Sequence, residues 1–244
     1  YHQDSLENGS AIRKRLSAAV KSAIEDHWAN GLLNHPDNGD LRSALASNRI
    51  SARTLYDALL TLVYRVLFLL VIEERDLTHP EGADTNLKAL YRDYYSLAAL
   101  RTRCRRVRSE EARFGDLWAA LVDCFSLYED GERASKLGLK PLAGDLFSHE
   151  AFDLLRELSL DNRAFAAGIQ LLDSYEDEKR GVPVRVNYAA LNVEEFGSIY
   201  EGLLEFDANI DSSADGFRFS FAKGEDRGKT GSHYTPEELV QPLI

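Results

Sequence analysis

The sequence has no methionine, two cysteines, six prolines and sixteen glycines in 244 residues. Translation starts on Met, so the expectation is a trimmed start or methionines lost in a modified form, and spacings are read with that latitude. Cys104 and Cys124 are too few for a disulfide framework or a thiolate zinc site, and the six histidines form no close ligand-type pair, so no metal is expected. A reducing cytoplasm is the default compartment. No basic start followed by an apolar run and a small-residue cleavage site marks a leader. The sparse Gly and Pro, with 44% apolar and 28% charged residues, exclude collagenous, disordered and low-complexity chains. A phosphate-binding glycine loop, a Ser-His-Asp arrangement and a cysteine with a matching base are all missing, so no residue is assigned as catalytic.

Positive charge is also scarce. The net charge of −11 argues against coating nucleic acid by charge alone. Residues 1–80 and 81–140 are nearly balanced, whereas 141–244 carry 9 basic against 20 acidic residues. The only basic concentration is Arg101, Arg103, Arg105, Arg106 and Arg108, flanked by Arg92 and Arg113. Guanidinium groups pair bidentately with phosphate oxygens, which makes these five the candidate DNA-contacting residues. On a helix they point to several faces, so one groove cannot take all of them, and a solvated, salt-bridged surface is the competing reading.

What is abundant is helical periodicity. Ile12, Leu16, Val20, Ile24 and Trp28 recur once per turn behind a Ser10 cap, with Gly31 as the expected stop. Asp40 is expected to cap a short segment. Ser51 opens a long helix with Leu55, Leu59, Val63, Val66 and Leu70 on one face, ending before Thr78-His79-Pro80-Glu81-Gly82. Its stretch from Leu55 to Ile72 has membrane-span length but includes Asp57 and Arg65, which favours a buried core helix over a membrane segment. Further helices are expected near 86–104, 110–128, 149–159, 162–176 and 193–206, with Ser109, Ser148 and Asp161 as caps and Gly131, Gly138 and Gly144 punctuating a loop. Only 217–221, Phe-Arg-Phe-Ser-Phe, alternates as a strand should. Glu176-Asp177-Glu178 beside Lys179 and Arg180 is read as a solvated helix end rather than a nuclease metal site. The fold class is therefore mainly α, a helical bundle with a short mixed C-terminal tail holding at most one β-hairpin. Its segments are 1–50, 51–206 and 207–244.

The segment from Asn187 to Phe206, Asn-Tyr-Ala-Ala-Leu-Asn-Val-Glu-Glu-Phe-Gly-Ser-Ile-Tyr-Glu-Gly-Leu-Leu-Glu-Phe, resembles a signature of large adenine-specific DNA methyltransferases. These are the type IIG restriction-modification enzymes and the related methylases of phage-defence systems such as BREX and DISARM. In that family the segment leads through a hairpin-like stretch into a Gly-Ser-Tyr-Tyr-Thr-Pro element, and here Gly231-Ser232-His233-Tyr234-Thr235-Pro236 stands in that place. The helix from Leu62 to Leu77, with its Glu73-Glu74-Arg75 turn, is similar to the family's leucine-rich helix. Residues 1–50 carry no signature.

The resemblance implies that His233, Tyr234, Thr235 and Pro236 belong to motif X, which helps line the S-adenosylmethionine pocket. Thr235 capping a helix with Pro236 at its first position is compatible with that role, and equally with an ordinary helix start. The family's Asp/Asn-Pro-Pro-Tyr/Phe motif and its glycine-rich cofactor motif are missing before Ile244. The expectation is the N-terminal helical portion of a larger methyltransferase, catalytically incomplete by itself, leading toward a Rossmann-like domain. DNA is its implied partner through the intact enzyme, S-adenosylmethionine its cofactor, and defence-system subunits further partners. The alternative is a non-catalytic helical interaction module of a defence complex.

Overall fold

The computed structural model describes residues 14–140, 142, 144–177, 182–191, 193–213 and 216–223. Helix α1 covers residues 14–34, passing from 14–22 through a π-helical segment, Ala23–Ala29, into Asn30–Asn34. Leu16, Val20, Ile24 and Trp28 are buried, as their one-per-turn spacing requires. Gly31 does not stop the helix. A Cβ there would lie 2.6 Å from Leu160 Cδ1 and 2.8 Å from Ala164 Cβ, so this glycine permits close packing instead of termination.

Helix α2 spans Gly39–Ala46, which places Asp40 inside its first turn rather than at its cap. Helix α3, Ala52–Glu74, starts where expected, with Ser51 Oγ accepting the Thr54 N–H at 3.0 Å. It is long and apolar enough to cross a membrane, yet 72% of its most apolar window is buried within the fold. A helix apolar over most of its surface belongs at the centre of a protein, and here six other segments pack against it. Arg65, in mid-helix, is fully buried. It pairs with Glu129, donates to the Leu146 and Ser148 carbonyls at 2.7 Å, and lies 5.0 to 5.3 Å from the rings of Phe125, Phe147 and Phe152.

The helix expected near 86–104 is interrupted. α4, Thr85–Leu90, runs into a π-helical segment, Tyr91–Tyr95, after which Ser96 turns extended and caps α5, Leu97–Cys104, by accepting the Ala99 N–H. α6, Asp116–Glu129, begins seven residues after Ser109, where Asn162 rather than a local side chain accepts the Leu117 N–H. Asp130 caps α7, Gly131–Lys136, so Gly131 opens a helix where a loop was expected. Ser148 Oγ accepts the Ala151 N–H, and 3₁₀ turns lead into α8, Asp153–Arg156. α9, Asn162–Asp173, is capped by Asp161 as predicted.

Helix α9 stops three residues early. Ser174–Asp177 is strand β1, paired antiparallel with β2, Val182–Arg185, so Glu176 and Asp177 lie in a hairpin and not on a helix end. α10, Val193–Leu204, precedes a second hairpin, β3 (Phe206–Ser213) and β4 (Gly216–Lys223), in register from Phe206 opposite Lys223 to Ser213 opposite Gly216. The alternating residues 217–221 therefore lie in β4 and pair with residues 208–212 of β3. One contiguous hydrophobic core extends from Leu16 to Phe219 and joins α1, the central helices and the second hairpin.

Candidate nucleic-acid interface

The arginine cluster occupies the end of α5 and the turns that follow it. Three consecutive residues at the end of α3 help fix this region. Glu73 accepts the Leu97 and Ala98 N–H groups at 2.8 and 2.9 Å and the Tyr91 hydroxyl at 2.6 Å, which holds the start of α5; burial nevertheless pushes its carboxyl above the ordinary glutamate range. Glu74 pairs with Arg101 at 2.9 Å near the other end of α5. Arg75 donates to the carbonyls of Ala189 and Leu191 at 3.0 and 2.6 Å.

The five candidate arginines separate by face. Arg101 is 2% exposed and also pairs with Asp173, with the Tyr188 ring 5.5 Å from its guanidinium carbon. Its charge is committed to the interior, so it is not available to a phosphate in this fold. Arg105, one turn further on, is half-exposed and pairs with the same Asp173. Arg103 faces outward and pairs with Asp116 at 2.7 Å. Arg106 and Arg108 are exposed, and among the described residues neither side chain has an ion-pair partner. The structure thus keeps four of the five at the surface.

These outward arginines border a cleft of about 600 Å³ that includes Arg103, Arg106, Arg108, Glu111, Phe114 and Asp116 in its lining. Asn162 shapes it. Its amide donates to the Glu111 carbonyl at 3.0 Å and to Asp116 Oδ1 at 2.7 Å, while its oxygen accepts the Leu117 N–H at 3.0 Å. A second cleft, about 270 Å³, shares Arg103 and is lined by Tyr94, Tyr95 and Ser96 among others. Tyr94 is 75% exposed, Phe114 49% and Tyr95 41%. Sequence reasoning missed these three rings; the signal was the Tyr-Tyr pair just before α5 and the Phe-Gly pair just after the arginines.

Cys104 lies beneath the cluster, fully buried, and burial pushes its thiol up to about 12. At neutral pH it is a protonated core side chain rather than a nucleophile. Among the described residues no group of three or more His, Cys, Asp or Glu side chains is placed to hold a metal ion. His233, Tyr234, Thr235 and Pro236 lie outside the described residues.

The segment opening at Asn187 is knitted into the core. Tyr188 is fully buried, its hydroxyl donates to the Leu172 carbonyl at 2.7 Å, and its N–H donates to Glu74 at 2.8 Å. The Tyr200 ring lies 4.9 Å from that of Tyr64, and the Tyr56 hydroxyl donates to the Leu203 carbonyl at 2.6 Å. Comparison with protein-family models, curated proteins and solved structures returns no match.

Proposed function

We propose that this chain is the helical, non-catalytic portion of an S-adenosylmethionine-dependent, adenine-specific DNA methyltransferase of a restriction-modification or phage-defence system. The observation that supports the reading is the clamp between the two segments that resemble that family. Glu74 and Arg75, at the end of the leucine-rich helix, bind the backbone of Tyr188, Ala189 and Leu191, at the start of the second signature. Residues brought together in this way are expected to recur together in sequence, because each fixes the other's backbone.

On this reading the bundle acts as a scaffold. Tyr56 and Tyr64 on α3 hold α10 in place, and the second hairpin is tied to α1. The outward arginines would meet the phosphates of the DNA. S-adenosylmethionine supplies the methyl group, which passes to the exocyclic amine of an adenine turned out of the stack. No described residue is assigned a part in that transfer. The enzyme would work in the cytoplasm.

Intact-mass measurement with peptide mapping on the protein from its native source tests the reading. A mass well above 27.4 kDa, with peptides carrying an Asn-Pro-Pro-Tyr-type motif and methylation of adenine in duplex DNA, is the expected result. A mass near 27.4 kDa would overturn it. The single core reaching from Leu16 to Phe219 would then favour an autonomous interaction module, a subunit that docks a defence-system partner.

A further inference from the structure

We infer that the two clefts flanking Arg103 form one track for single-stranded nucleic acid, with phosphates on Arg106 and Arg108 and unstacked bases on Phe114, Tyr94 and Tyr95. This deepens the DNA-contacting part of the proposed function and rests on it only in taking nucleic acid as the ligand. The larger cleft, about 600 Å³, has the volume for a planar base, and Arg103 lines both it and the smaller one.

The charge balance favours a polyanion despite three nearby carboxylates. Asp116 is held by Arg103 and Asn162, and Asp93 by Arg92 at 2.8 Å. Glu111 accepts the Arg108 backbone N–H at 3.2 Å. Arg106 and Arg108 keep their charge unpaired among the described residues, beside the half-exposed Phe114 ring. Arg113 lies 5.3 Å from the same ring.

The exposed rings decide between nucleic-acid forms. Aromatic faces set between cations bind single strands, since every unstacked base offers a π-face and stacking tolerates any sequence. A duplex keeps its bases stacked on one another and would leave Tyr94 and Phe114 without partners. An acidic peptide would satisfy the arginines but offers the rings nothing planar.

The test is fluorescence anisotropy on the whole protein with a labelled oligothymidylate of about twelve nucleotides, a duplex of equal length and a polyglutamate competitor. Single-strand binding tighter than duplex binding is expected. Phe114→Leu, which keeps the apolar volume, should weaken single-strand binding about five-fold or more with little effect on the duplex. Arg106→Ala with Arg108→Ala should flatten the logarithmic salt slope by about 1 to 1.5. Equal or tighter duplex binding, an inert Phe114→Leu, or competition by polyglutamate at equal charge each overturns the track. A duplex preference leaves the methyltransferase reading standing, whereas single-strand binding by a protein that methylates nothing removes that reading and keeps the track.

Discussion

The Glu74 carboxylate accepts the backbone N–H of Tyr188 at 2.8 Å across 114 residues of chain. The same carboxylate pairs with Arg101, at 2.9 Å, and with Arg185 at 3.3 Å. It is therefore shared between the backbone of one segment and the guanidinium groups of two others. Glu74→Ala leaves a buried arginine with one carboxylate fewer and two backbone donors unpaired, and should cost about 3 kcal/mol. Glu74→Gln keeps an amide oxygen for the Tyr188 N–H and should cost less. Urea unfolding monitored by circular dichroism measures both. A Glu74→Ala protein as stable as the parent would mean that the clamp does not hold the two segments together.

The second hairpin meets α1 through side chains that imitate a neighbouring strand. Asn30 accepts the Phe219 N–H at 2.8 Å and donates to the Phe219 carbonyl at 3.3 Å. Asn34 makes the same pair of bonds to Phe217, at 3.2 and 2.8 Å, and Glu25 accepts the Phe221 N–H at 3.1 Å. The outer edge of β4 is thereby closed without a third strand. Asn30→Leu leaves Phe219 with an unpaired donor and acceptor, at a cost of about 1 to 3 kcal/mol. Hydrogen exchange resolved to single amides should show protection falling at Phe219 and its neighbours while α3 keeps its own. Unchanged protection at Phe219 would show that apolar packing alone seats the hairpin.

Those asparagines mark the boundary of what the sequence could tell. The one-per-turn leucines of α3 and the caps at Ser51, Ser148 and Asp161 were legible because each is a local pattern. The start of α6 was not, since Ser109 is a good cap by type while Asn162, 45 residues from Leu117 in the chain, receives the helix's first amide. Gly31 misled for a related reason: its space is filled by Leu160 and Ala164, which no local window contains. β3 did not stand out as a strand because Asp207, Asn209 and Asp211 face solvent, leaving Phe206, Ala208 and Ile210 to mark the inner side. At the candidate interface the arginines were visible as a run, but which of them faces inward depended on Asp173, contributed by another helix.

His79 gives the fold a dependence on acid. It is 4% exposed, and its Nε2 lies 3.1 Å from the Leu137 carbonyl, which can only accept, so Nε2 carries the proton. Nδ1, 2.9 Å from Thr78 Oγ1, then accepts the hydroxyl proton of the neutral ring. Burial, reinforced by Lys88, holds its pKa below 6.5, against the pull of the Leu137 bond. The unfolded chain therefore binds a proton that the folded chain refuses. The stability tied to this group is complete above 6.5 and is lost as the pH falls through the lowered value, at up to about 1.4 kcal/mol per pH unit. His79→Gln can still donate to Leu137 and cannot charge, so it should lose less stability than the parent between about pH 7 and pH 5 in urea titrations. Parallel losses in both proteins would assign the acid limb to other groups.

Arg101 and Arg106 are five residues apart and should respond to replacement in opposite ways. Arg101 holds Glu74 and Asp173 in the interior, and Arg101→Leu removes their shared buried cation, leaving Asp173 to Arg105 and Glu74 to Arg185 and the Tyr188 N–H, at a cost of about 3 kcal/mol. Its effect on nucleic-acid affinity should follow the loss of folded protein and vanish at temperatures where the variant is fully folded. Arg106→Ala removes an exposed charge and should leave the unfolding midpoint within the scatter of surface substitutions, about 0.5 kcal/mol. It should instead reduce the salt slope of binding by close to one phosphate contact. Thermal unfolding and salt-dependent anisotropy on the same two variants separate the roles. A stable Arg101→Leu with a reduced salt slope would place Arg101 at the ligand and require the buried carboxylates to find other partners, whereas the opposite pattern assigns anion contact to the outward face of the cluster alone.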